Sequence, residues 1–115
     1  MSEGQPMPLR TAEPFDIASA KERLAAEPGG YQIVHRSAGL ELGVYVLVAP
    51  EPDRQQPHED DEVYVVLEGS GVLDVEGTRV ELQEGHAVFV PAGAEHRFIG
   101  YEQLSVFVIF ERKRP

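Results

Sequence analysis

Three side chains in this sequence are of metal-binding type and fall at spacings that let them meet. His58 and Glu62 stand just before and at the start of a β-type run, Glu62-Val-Tyr-Val-Val-Leu-Glu68. His96 follows the turn Pro91-Ala-Gly93 in a second stretch, Gly85 to Phe98. Two neutral imidazoles and one carboxylate that leave positions open form the facial triad suited to Fe(II), and Mn, Ni, Co or Zn also fit. Gln56 shares parity with His58 and Glu62, so an extended segment sends all three to one face. Pro57 and the acidic Glu59-Asp60-Asp61 predict a bend before Glu62. Tyr64, with the parity of Glu62, offers the one nearby phenol as hydrogen-bond donor or weak acid.

The elements that must position these residues are mostly strands. From Tyr31 onward apolar residues recur with period 2, and turn signals interrupt them about every ten residues, the pattern of an all-β sandwich or barrel. The expected strands are Tyr31–Ser37, Glu41–Ala49, Glu62–Glu68, Val72–Val75, Thr78–Leu82, Ala87–Val90, Glu95–Ile99 and Leu104–Phe110. Gly69-Ser-Gly71 reads as a turn between the third and fourth. Glu76-Gly77 reads as a two-residue hairpin turn, with glycine at a positive φ. The Pro91-Ala-Gly93 turn should return the chain antiparallel to the strand before it. If the sheet curls into a barrel, His96 faces the same interior as His58 and Glu62.

Ahead of the strands, Asp16 offers an N-cap, and Ile17, Ala20, Lys21 and Leu24 fall at helical spacing until Pro28-Gly29-Gly30. Residues 1 to about 14, with three prolines, read as an extended arm. The division is therefore an arm and short helix over 1–30 and a barrel domain over 31–115. The last strand is apolar on both faces, with Leu104, Val106, Val108 and Phe110 on one and Phe107 and Ile109 on the other, so both need cover. The arm could supply it, and so could a second copy, which leads to the expectation of a homodimer.

The whole chain narrows the function classes. Its 115 residues make one domain without cysteine, which excludes disulfides and thiolate metal sites. A net charge of −10 repels phosphate backbones and argues against nucleic acid as a partner. No apolar run approaches a membrane span, and Met1–Leu9 lacks the charged and apolar regions of a signal peptide, so the expectation is a cytoplasmic protein without a membrane partner. Arg112-Lys113-Arg114 reads as a solvated tail.

The two motif stretches together resemble the cupin family, small barrels of the jelly-roll (RmlC-like) type. Gln56-x-His58-x3-Glu62-x6-Gly69 follows the first cupin motif. Gly85-x5-Pro91-x-Gly93-x2-His96 follows the second, with Gly100 where an asparagine is usual. The resemblance covers roughly residues 31–110 and implies a single cupin β-barrel with one short N-terminal helix. It further implies one divalent transition metal (Fe, Mn, Ni or Zn) held by Gln56, His58, Glu62 and His96. Gln56 stands where the family's first histidine ligand would be; its amide is a neutral, harder and weaker donor than imidazole. Glu59 or Asp60 is a lower-ranked oxygen donor.

The resemblance implies a small-molecule substrate and dioxygenase, isomerase, decarboxylase or lyase chemistry, with Glu62 as ligand or base and Tyr64 beside it as catalytic residues. A non-catalytic module holding a metal or small molecule fits the same residues, as does a metal-free structural dimer. Val66 and Phe98 are candidate cavity-lining residues, while Phe89 and Phe107 are expected in the core. Arg97 should point outward, which leaves no strong base in the pocket. His35 and His86 belong to no constellation.

Overall fold

The computed structural model describes residues 11–112. A helix α1 (Ile17–Ala26) leads into seven strands, β1 (Gly30–Arg36), β2 (Leu40–Val48), β3 (Glu62–Val75), β4 (Thr78–Gln83), β5 (Ala87–Val90), β6 (His96–Ile99) and β7 (Gln103–Glu111). All pairings are antiparallel. One sheet runs β1-β2-β7-β3-β5, and a smaller one places β4 and β6 against the far half of β3. The fold is an open jelly roll, all-β apart from α1, with β3 common to both sheets.

The long β3 corrects the expectation of two strands separated by a turn at Gly69-Ser-Gly71. Its first half pairs with β7 and β5, its second with β4 and β6, and the strand bends between them far enough to bring His96, the partner of Val75, beside Glu62. The register against β7 shifts between Val66 and Glu68. Gly69 follows at φ 85°, where a Cβ would collide with the backbone carbonyl of Gln103. The glycines thus mark a strand changing sheets.

A second correction concerns the Pro91–Glu95 turn. It does not fold β6 back on β5. It carries the chain to the smaller sheet, where His96 pairs with Val75.

Other local signals are met as read. Asp16 caps α1, its carboxylate accepting from the Ser19 N–H at 2.9 Å. Glu76 and Gly77 both have positive φ, 50° and 88°, as a type I′ hairpin requires.

The core lies between the sheets, with Leu47, Tyr64, Val66, Leu73, Leu82, Val90, Phe98, Leu104, Val106 and Val108 buried there. A second cluster lies outside the larger sheet, where Ala20 and Leu24 of α1 pack on Val44 and Val46, with Leu67 and Phe107 beside them. Phe15, ahead of the helix, stacks on Phe107 with ring centroids 6.4 Å apart. The chain itself therefore covers part of the outer face of β7. Phe89 departs from its expected place in the core: it points outward from β5 and is 58% exposed. Residues 1–10 of the expected arm, with Lys113 and Arg114, lie outside the described residues.

Gly69→Ala should destabilise the fold by at least about 1–3 kcal/mol, from the positive φ before the collision with Gln103 is counted. Gly39→Ala, at a glycine with open space and no positive φ, should stay within about 0.5 kcal/mol. Urea unfolding of the two variants measures both; equal stabilities would contradict the role given to Gly69.

Candidate metal centre

Glu62 opens β3, and its inward parity places the carboxylate in the core at 2% exposure. His96 opens β6 and is 5% exposed. His58 arrives on the loop between β2 and β3, which is tied to the turn carrying His96. Gly93 N–H donates to the His58 carbonyl at 2.7 Å, and Ala92 N–H to the Asp61 carboxylate at 2.8 Å. The result is a group in which one donor atom from each of His58, Glu62 and His96 lies within 4.8 Å of the others. The structure thus brings these three together.

The hydrogen bonding of this group is incomplete in an informative way. His96 Nε2 lies 2.8 Å from Glu62 Oε1, yet the approach lacks hydrogen-bond geometry, and among the described residues neither oxygen of the buried carboxylate has a hydrogen-bond partner. A buried carboxylate without partners is costly unless a cation faces it. His96 Nδ1 lies 2.8 Å from the Ala94 carbonyl and can only donate there, which turns Nε2 toward Glu62. A carbonyl that fixes one ring nitrogen and aims the other is the usual support of a metal-ligating histidine. Donors about an ion held at about 2.0–2.2 Å stand roughly 3 Å apart when adjacent, as Glu62 and His96 already do. The residues fit a divalent cation.

Burial disfavours the charged form of His96, but the Glu62 carboxylate and the Ala94 carbonyl outweigh it and hold its pKa above the ordinary value. For Tyr64, burial raises the phenol pKa, and the negative charge of Glu62 raises it further. The phenol is therefore neutral throughout the physiological range. Its hydroxyl donates to Gln55 Oε1 at 2.8 Å and lies 3.0 Å from His96 Nε2.

Gln56 stands apart from this group. It is exposed and lines a second cleft of about 590 Å³, shared with Gln55, Asp74, Arg79, Arg97 and His96. The inward amide belongs to Gln55, whose backbone and side-chain N–H groups both bond Asp53, at 3.1 and 2.6 Å. That anchor sets the parity of the loop one residue away from the extended-chain expectation. Gln55 Oε1 lies 3.4 Å from His58 Nε2. Asp53, 1% exposed, is a component that sequence reasoning missed; nothing in a loop containing Pro50 and Pro52 flags it as buried.

His58 and Tyr64 face a cavity of about 540 Å³ walled by Tyr31, Tyr45, Val108 and Phe110, with Glu41, Glu59 and Asp60 at its acidic side. Glu59 and Asp60 line this cavity without joining the metal group. Val66 and Phe98 pack in the core, and only the Tyr64 end of that inward row reaches the cavity. Arg112 also lines it, anchored by a hydrogen bond from Nη1 to the Ser37 carbonyl at 2.7 Å. The cavity thus has a positively charged group, contrary to the expectation drawn from Arg97 and from reading Arg112 as tail. The signal was parity, since Arg112 continues the inward row of Val108 and Phe110. His35 and His86 stay outside the site, His35 near Glu13 and His86 accepting from the Gln83 N–H.

Residues 44–110 match the family model of the cupin domain. The chain belongs to the cupin family. It is 35% identical over 97 residues to an uncharacterised protein of Streptomyces coelicolor, covering 84% of this chain and 92% of that one. It is 38% identical over 74 residues to an acireductone dioxygenase of Leishmania major, covering 59% of this chain and only 22% of that enzyme. The crystal structure of an RmlC-like cupin with a double-stranded β-helix fold from Methanocaldococcus jannaschii aligns with a TM-score of 0.72. It covers 90% of this chain and 93% of that one at 16% identity, a likeness of fold.

The raised pKa of His96 gives a signed pH dependence. In metal-free protein its stabilising contact with Glu62 is fully present below the unfolded value of about 6.5 and is lost as pH rises through the higher folded value. A metal competes with that proton, so binding should weaken as pH falls through the same range. Calorimetric melting of metal-free protein should show a falling Tm as pH rises above about 6.5, with the increment from added Zn(II) growing. A flat metal-free profile would contradict the His96–Glu62 account.

Proposed function

We propose that this cupin holds one divalent transition metal at His58, Glu62 and His96 and acts on a small organic molecule bound in the adjoining cavity. The observation that carries the reading is the buried Glu62 carboxylate, both oxygens without hydrogen bonds among the described residues, facing two imidazoles. The bound metal would supply Lewis acidity or an oxygen-activating centre. The chain's own part is to hold that ion on three side chains while leaving the cavity side open. Tyr45, Phe110 and Val108 exclude water from one face of the substrate, and Arg112 offers a positive charge at the wall. Glu62 is proposed as ligand or base and Tyr64 as a polar group at the reacting position. The likeness to an acireductone dioxygenase, over a limited share of that enzyme, favours an enzyme over a storage module.

Elemental analysis of protein purified without chelators tests the metal. About one Fe, Mn, Ni or Zn per chain is expected, with the content lost in a His58→Ala/His96→Ala double variant that keeps its far-UV spectrum. No metal after reconstitution would refute the reading. Oxygen uptake or product formation against a panel of hydroxy- and oxo-acids then separates turnover from binding alone.

The same proposal includes a homodimer. Outside the larger sheet, beyond the cover given by α1 and Phe15, register aligns Leu42, Ile109, Val63 and Phe89 in one apolar row across four strands. The row ends at the exposed Phe89, and a second copy pairing there would cover it. Light scattering should give twice the 12.7 kDa chain mass for the wild type and the single mass for Phe89→Asp. A wild-type monomer at tens of micromolar would rule the dimer out.

A further inference from the structure

Asp53 and Gln55 lie outside the metal group, yet their hydrogen bonds decide what the group meets. Asp53 Oδ1 accepts from the Tyr45 hydroxyl at 2.9 Å and the Gln55 N–H at 3.1 Å. Its Oδ2 accepts from Gln55 Nε2 at 2.6 Å and the Phe98 N–H at 2.9 Å. A carboxylate that receives four donors has no proton to give. The orientation of the Gln55 amide is therefore forced, because a flipped amide would set its carbonyl oxygen against Asp53, acceptor against acceptor. With Nε2 committed to Asp53, Oε1 must face inward, where it can only accept. The Tyr64 hydroxyl, with a single proton, meets it at 2.8 Å.

From this geometry we propose that Asp53 and Gln55 are positioning residues that hold the Tyr64 hydroxyl proton away from the His58–Glu62–His96 centre. Tyr64 then presents an oxygen lone pair to that centre, a fixed hydrogen-bond acceptor and not an acid. The consequence is a specificity rule. The centre should favour a ligand carrying an O–H or N–H donor beside Tyr64, such as an alcohol, an enediol or a hydroxy acid, over one that offers only acceptors there, such as a simple carboxylate. The arrangement also makes Tyr64 useless as a proton donor unless Gln55 lets go. The inference rests on the metal reading for its bearing on ligands but not for the hydroxyl orientation itself.

Two measurements test it. In metal-free protein with 15N-labelled histidine, the slowly exchanging Tyr64 hydroxyl proton should show a nuclear Overhauser effect to the Gln55 side chain and no hydrogen-bond scalar coupling to His96 Nε2. In Gln55→Leu, at a pH where His96 Nε2 carries no proton, the hydroxyl proton should turn and that coupling should appear. Coupling to His96 already present in the wild type would overturn the proposal, whatever the metal result.

The second measurement is a double-mutant cycle on Zn(II) affinity by calorimetry, with thermal melts to confirm folding. Gln55→Leu should weaken binding about 10–100-fold, the range of an outer-sphere partner. In a Tyr64→Phe background the same change should have little effect. Equal losses in both backgrounds would show that Gln55 acts without Tyr64 and would overturn the positioning role. A wild type that binds no Zn(II) would refute the metal reading and leave the hydroxyl experiment to decide this one.

Discussion

The carboxylate of Glu62 is the constraint on which the site depends. A charge buried with no hydrogen bond to either oxygen is tolerated only beside a compensating positive group. In the metal-free molecule a protonated His96 can serve, its Nδ1–H donating to Ala94 and its Nε2–H facing Glu62. A divalent cation replaces that proton more completely, since it can engage His58 as well. Much of the surrounding architecture can be understood as holding this one buried charge in place.

The placement follows from β3. Because this strand belongs to both sheets, a residue at its start is held by β7 and β5, while its far end carries β6 and with it His96. Gly69 lets the strand bend there, and the loop contacts between His58, Asp61 and the Ala92-Gly93 turn bring the third ligand alongside. Behind the ligands, Asp53 gathers Tyr45, Gln55 and Phe98. The network that orients Tyr64 is thus built from a loop carboxylate, one amide, the Tyr45 hydroxyl and a backbone N–H of β6.

Much of this was legible in the sequence. Period-2 patterning and the Glu76-Gly77 hairpin are local, and apart from the continuity of β3 they mark the strands because backbone preference and burial agree there. The convergence of His58, Glu62 and His96 followed from strand parity together with the cupin motif spacing. What failed was long-range. Gly69-Ser-Gly71 has turn chemistry, but glycine serves a sheet-changing bend as well as a reversal, and only the pairing of Gln103 and Leu104 decides. Gln56 has the parity of His58 and Glu62, but parity is lost wherever a buried side chain such as Asp53 pins an irregular loop, and here Gln55 faces inward instead. Phe89 looked like core on hydrophobicity alone, although its alternation with Val88 and Val90 already put it on the other face.

Anomalous diffraction from crystals grown with Mn(II) or Zn(II) tests the central claim most directly. The account predicts one strong peak at bonding distance, about 2.0–2.2 Å, from the Glu62 carboxylate and the Nε2 atom of His96, with His58 as the third protein ligand. A peak confined to Glu59 and Asp60, or none at a saturating metal concentration, would contradict it.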